Sequence, residues 1–152
     1  LLASMLRRAA RDGRRVIDVG RVRISGARPT IDRFPRASLE DALRALATAG
    51  LAEAQTMIRA PARLSDGQRF RLRLAIALER ARRSKRSVLL VCDEFCAVLD
   101  RAAAAVVARS LRRAVDRLAT RVACVVATSH DDLARALCPD RVVRCDFDPV
   151  GV

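Results

Sequence analysis

The chain has no tryptophan, no tyrosine and only four phenylalanines among its 152 residues. That scarcity removes the aromatic platforms on which single-stranded nucleic acid stacks and leaves aliphatic side chains to build the core. Lysine is nearly absent too: Lys85 is the only one, so arginine carries almost all of the positive charge behind a net +13. No apolar run approaches the roughly 20 residues that span a bilayer. The apolar opening Leu1–Leu6 is too short for a signal core, and its arginines follow it instead of leading it. The five cysteines, Cys92, Cys96, Cys124, Cys138 and Cys145, are odd in number and contain no Cys-x-x-Cys pair. They give neither a disulfide frame nor a zinc site, and they point to a reducing cytoplasm.

What is present is enough for one domain with a real core. Half of the residues are hydrophobic, mostly Ala, Leu and Val. The positive balance raises nucleic acid as a partner. Along the sequence, however, the arginines fall on successive helical faces without clustering, and stacking residues are few, so a solvated basic surface is the favoured reading and an Arg-rich nucleic-acid module the rival.

Periodicity predicts helices over 1–11, Leu39–Thr48, Ala52–Ile58, from about Asp66 to Arg83, Arg101–Leu118 and Asp131–Leu137. Ser38 is a suitable N-cap with Asp41 three residues on, and Gly13 and Gly50 close helices. Strands are predicted at Arg15–Val19, with Val22–Ile24 as its extension, at Val88–Cys92, at Val122–Ala127 and at Arg141–Cys145. The second and third are continuous apolar runs of the type buried on both faces. Strands alternating with helices imply an α/β protein with a parallel sheet.

Three segments carry the chemistry. Leu64-Ser65-Asp66-Gly67-Gln68 places a hydroxyl and a glycine at the start of a long helix, where backbone N–H groups and the helix dipole favour an anion. Val88-Leu89-Leu90-Val91-Cys92 runs into Asp93-Glu94, two carboxylates delivered by a buried strand to the crevice at its end. Val125-Val126-Ala127-Thr128-Ser129 runs into His130. A plain helix cap, a common acidic dipeptide and a structural histidine are the separate bland explanations. Ser129-His130-Asp131 is not a hydrolytic triad, because three consecutive residues cannot converge.

In this order the segments resemble the signature motif, the Walker B strand and the His switch of an ABC-type ATPase. Phe95-Cys96-Ala97-Val98-Leu99-Asp100 resembles the D-loop that follows. The resemblance implies a P-loop NTPase fold with a helical segment at about 38–60 before the signature and the motif-bearing part at 64–145. It implies ATP and Mg²⁺ as ligands. Asp93 would take the metal, Glu94 would be the catalytic acid that orients water, and His130 would contact the γ-phosphate. Ser65, Gly67 and Gln68 would reach the nucleotide of a second subunit in a head-to-tail dimer, with Asp100 crossing the same interface. Departures are Phe95 where the family has Pro, Asp66 where it has Gly, no glutamine placed for a Q-loop, and about one extra helical turn between Gln68 and Asp93.

The phosphate loop Gly-x-x-x-x-Gly-Lys-Ser/Thr is absent from the 152 residues. The opening Leu1-Leu2-Ala3-Ser4-Met5-Leu6 resembles the helix that follows that loop, so the expectation is a domain truncated at its N-terminus. The short segment before the signature tilts the resemblance toward a soluble ABC ATPase, similar to those fused to an acetyltransferase domain. The alternatives are a partner subunit supplying only the signature half-site, the nucleotide-binding subunit of a transporter, or the nucleic-acid module.

Overall fold

The computed structural model describes residues 2–145 as a mixed α/β protein with a three-stranded parallel sheet. In chain order the elements are α1 (Leu2–Arg11), β1 (Arg15–Asp18), α2 (Leu39–Thr48), α3 (Ala54–Ile58), α4 (Asp66–Arg82), β2 (Val88–Cys92), α5 (Arg101–Arg117), β3 (Val122–Val126) and α6 (Leu133–Leu137). Short 3₁₀ turns occupy Thr30–Arg33, Pro61–Arg63 and Ala119–Arg121.

The sheet order is β1-β2-β3, with Arg15 opposite Val88 and Val88 opposite Val122. β2 is the middle strand, and all five of its residues are buried. One face of the sheet (Val16, Leu89, Val91, Val125) is covered by Leu2, Leu6 and Ala9 of α1. The other face (Ile17, Val88, Leu90, Cys92) belongs to the main core with α2, α4 and α5. The spacing of Ala104, Val107, Ala108 and Leu111 gives α5 a single buried stripe. α4 is more enclosed: Leu72 and every residue from Leu74 to Glu79 is buried, so this helix is the axis of the core. Buried Glu79 is neutralised by Arg82 at 2.8 Å, and Arg82 also holds Asp41 of α2 at 2.7 Å.

Local signals set several boundaries. Ser38 Oγ accepts from Asp41 N at 3.1 Å, and α2 spans the residues its cap and periodicity predict. Gly13 and Gly50 adopt φ of +73° and +75° at the turns that leave α1 and α2. Val122–Val126 lies beside Val88–Cys92, as expected.

Three expectations need correction. Val122–Val126 is not buried on both faces: Ala123 is exposed and Cys124, Val125 and Val126 are half-buried, because no described strand pairs with the outer edge of β3. Arg141–Cys145 forms no strand; the segment is irregular and exposed, with Val142 and Val143 in solvent, since a β conformation without a ladder partner leaves its hydrogen bonds to water. Val22–Ile24 does not prolong β1. Val22 and Ile24 are nevertheless buried, as anchors of a loop that turns away at Asp18–Arg21. Among the described residues no helix is long and apolar enough to cross a membrane.

Leu90 has no exposed surface and lies at the centre of the sheet. Leu90→Ala should therefore cost about 2–5 kcal/mol, read as a lower urea midpoint. Val126→Ala on the half-buried edge strand should cost clearly less.

Candidate functional site

β2 ends in the core, and the chain must leave it at once. Asp93 and Glu94 are both exposed at the carboxyl end of the strand, between buried Cys92 and buried Phe95. The exit is tight: Glu94 and Cys96 hold φ of 48° and 61°, left-handed values that non-glycine residues seldom adopt. Such backbone persists only where its surroundings hold it, and it concentrates at functional sites.

Here the surroundings are identifiable. Asp93 Oδ1 accepts from Glu94 N at 3.1 Å. Ala127 N donates to Cys92 O at 2.9 Å, and Phe95 N donates to Ala127 O at 2.9 Å. Thr128 Oγ1 donates to Phe95 O at 3.3 Å and accepts from His130 N at 3.2 Å. The turn bearing Asp93 and Glu94 is thereby stitched to the turn bearing His130, and both lie at one end of the sheet. The stitching is through backbone and Thr128; among the described residues the imidazole makes no hydrogen bond to Asp93 or Glu94. His130 is half-buried. Beyond it, Arg101 pairs with Asp132 and holds that carboxyl below its ordinary pKa.

The signature segment forms a complete capping box. Ser65 Oγ accepts from Gln68 N at 3.2 Å, and Gln68 Oε1 accepts from Ser65 N at 3.1 Å. This satisfies the helix start, and among the described residues the Ser65 hydroxyl donates to no acceptor. Asp66 pairs with Arg69 on the solvent side, which in turn donates to Leu64 O at 2.8 Å, so its carboxylate is neutralised locally. Gly67 faces the D-loop candidate: a Cβ there would stand 2.8 Å from Leu99 Cδ2 and 3.2 Å from Val98 O. Asp100 is exposed and caps α5, accepting from Ala103 N at 2.8 Å.

An aromatic contact links the two groups. Phe70 in the first turns of α4 meets Phe95 edge-to-face, with ring centroids 5.9 Å apart. Phe95 is thus a fully buried wedge between α4 and the acid pair. Sequence alone gave no sign of this contact, since the two rings are brought together only by α4 lying against β2.

The acid pair and His130 lie at the carboxyl end of the sheet, and Gly67 approaches Leu99 in the segment that follows the acid pair. A cleft of about 370 Å³ lies elsewhere, walled by Ile31, Phe34, Pro35 and Leu39. Among the described residues no three His, Cys, Asp or Glu side chains converge as a cation cage. A divalent ion at Asp93 would have to complete its shell with water and substrate oxygens, which is how Mg²⁺ binds beside phosphates. No family model, no curated protein and no solved structure matches the chain.

Two expectations follow from the packing. Gly67→Ala should destabilise by about 1 kcal/mol, because the new Cβ would crowd the fixed backbone oxygen of Val98 as well as Leu99 Cδ2, outweighing the gain in helix propensity. In urea denaturation the double variant Gly67→Ala/Leu99→Ala should lose less than the sum of the two single changes. The thiols give the second. The Cys92 thiol is pushed well up, first by its hydrogen bond to Cys124 and then by burial, while burial pushes Cys96 up to about 12. Both should resist iodoacetamide at pH 8 while exposed Cys138 reacts. The shifts are upward, so their contribution to stability is complete below the ordinary thiol value of 9.0. It should be lost as pH rises from there toward 12, lowering the urea midpoint.

Proposed function

We propose that the protein is an ABC-type ATPase, of the P-loop NTPase fold, that hydrolyses Mg²⁺-ATP at sites shared between two subunits. The observation that carries this reading is the acid pair Asp93–Glu94 at the carboxyl end of the fully buried middle strand, held in a left-handed turn and stitched to the turn of His130. Ligands of open parallel α/β sheets bind at that end of the strands. The order β1-β2-β3, with the strand leading to His130 beside the strand leading to Asp93, is compatible with the family's sheet.

Phosphoryl transfer asks a protein mainly for positioning and charge neutralisation. Asp93, whose Oδ2 makes no hydrogen bond among the described residues, would take Mg²⁺, which when bound neutralises phosphate charge. Glu94, exposed and without an ion pair among the described residues, is the group that orients and polarises the attacking water. His130 senses the γ-phosphate from the neighbouring turn. Ser65 donates its hydroxyl hydrogen to a phosphate on the partner, beside the N–H groups around Gly67, with Gln68 holding the box closed. Asp100 follows the Val98–Leu99 segment that approaches Gly67 and would cross the same subunit boundary. The partner is a second copy or a related subunit, and a fused acetyltransferase domain is compatible with the resemblance.

The 152-residue chain by itself should show no Mg²⁺-dependent turnover, because it contains no phosphate loop. In a form of the protein that carries the loop, Glu94→Gln should retain ATP and lose hydrolysis, whereas Asp93→Asn should weaken Mg²⁺-ATP binding. Ser65→Arg should leave monomer binding intact and cut turnover by about tenfold or more, an oxyanion-type donor being worth roughly 3 kcal/mol. Mixing Ser65→Arg with a phosphate-loop lysine variant should restore activity through heterodimers. Full turnover by both acid variants would end the assignment.

A further inference from the structure

Along the sequence the arginines look dispersed, but the fold gathers them. Each strand of the sheet is entered through a short connector from the C-terminus of a helix. The connector into β1 carries Arg11, Arg14 and Arg15; the connector into β2 carries Arg83, Lys85 and Arg86; the connector into β3 carries Arg117 and Arg121. All eight are exposed. The strand register puts them at one end of the molecule: Arg15 is opposite Val88 and Val88 opposite Val122. Arg15 N donates to Ser87 O at 2.8 Å, and Arg86 Nη2 donates to Gly13 O at 2.7 Å, which closes the first two connectors on each other.

Segments 11–15, 83–87 and 117–121 hold eight cations and one acid, Asp12, a net +7 of the chain's +13. None of the eight forms an ion pair among the described residues, although Arg82, one residue away, has two carboxylate partners. Helix C-termini attract cations, and that accounts for Arg11, Arg83 and Arg117. It does not account for Arg14, Arg15, Lys85 and Arg86, which lie outside the helices, and a three-residue 3₁₀ turn is too short to account for Arg121. Like charges crowded this way repel one another and call for a polyanion.

We propose that this basic end of the sheet is a docking surface for the phosphate backbone of duplex nucleic acid, read without base specificity. Guanidinium groups grip phosphate oxygens in pairs. The connectors contain no aromatic residue, so single strands gain no stacking there. None of the large exposed apolar side chains lies in them, so an acidic membrane would lack the second anchor that stable attachment requires. The surface is separated from Asp93 and Glu94 by the length of β2, roughly 17 Å at about 3.3 Å per residue, and it does not depend on nucleotide hydrolysis.

The test is fluorescence anisotropy with a labelled 24-base-pair DNA duplex, an RNA duplex of equal length and the matching single strands, between 50 and 200 mM NaCl. Duplex binding should weaken with salt at a log–log slope of about −4 to −6, the release expected from about five or six phosphates. Arg14→Ala/Arg15→Ala/Lys85→Ala/Arg121→Ala should weaken it at least tenfold and flatten the slope. Arg23→Ala/Arg36→Ala/Arg63→Ala/Arg109→Ala, which removes the same charge elsewhere, should change it less than threefold. Phenylglyoxal labelling of the unaltered protein reads the same surface without a variant: duplex should protect Arg14, Arg15 and Arg121 and leave Arg36, Arg63 and Arg109 reactive. Equal loss in the two quadruple variants, tighter binding of single strands, no duplex protection, or capture by phosphatidylserine vesicles in place of both duplexes would each overturn the proposal.

Discussion

Burying β2 on both faces and along both edges is the constraint on which the rest depends. Five consecutive residues with scarcely any exposed surface need β1 and β3 to take their backbone hydrogen bonds, α1 to cover Leu89 and Val91, and α4 and α5 to cover Val88, Leu90 and Cys92. Because the interior has no place for an unpaired carboxylate, the strand must end where Asp93 and Glu94 begin. The left-handed residues Glu94 and Cys96 follow from that abrupt exit, and the bonds that Phe95 N donates to Ala127 O and that Thr128 Oγ1 donates to Phe95 O hold it. The position of the acid pair is in this sense a product of packing.

α4 transmits the same constraint to the other end of the candidate site. Its first turn is fixed by the Ser65–Gln68 box, its side by Phe70 against Phe95 and by Arg71 donating to Gly50 O at 2.7 Å, and its last turn by Arg82 between Glu79 and Asp41. These contacts tie the start of α4 to the turn that carries the acid pair. Ser65 and Asp100 each have a complete local explanation as helix caps. Capping uses the acceptor side of the Ser65 hydroxyl and Oδ1 of Asp100, so the proposed contacts across a subunit boundary would use the Ser65 hydroxyl hydrogen and Asp100 Oδ2.

A parallel α/β sheet has two chemically different ends, and this chain loads them oppositely. Strand exits present Asp18, Asp93 and Glu94, while strand entries present the cationic connectors. Helix C-termini at the entry end tolerate positive charge, and helix N-termini at the exit end favour bound anions. An anionic ligand at one pole and a polyanion at the other would be held by unlike means: positioned donors and a metal in the first case, diffuse guanidinium charge in the second.

The sequence by itself determined the elements whose signals are local. α2 was legible to the residue because Ser38 caps it and Gly50 ends it, α4 nearly so because Ser65 or Asp66 precedes a long helical periodicity, and β2 because a continuous apolar run stops at two acids. It also carried the motif order from which the candidate site was read. Tertiary structure alone decided the half-exposed state of β3 and the lack of a strand at Arg141–Cys145, since a strand exists only through a neighbour that the strand's own residues do not specify. It alone brought Phe70 to Phe95 and Gly67 to Leu99, and it turned dispersed arginines into a single charged end. Caps and apolar runs are read over a few residues and survive in one dimension, whereas edges, close approaches and charge clusters arise from which distant segments the fold places together.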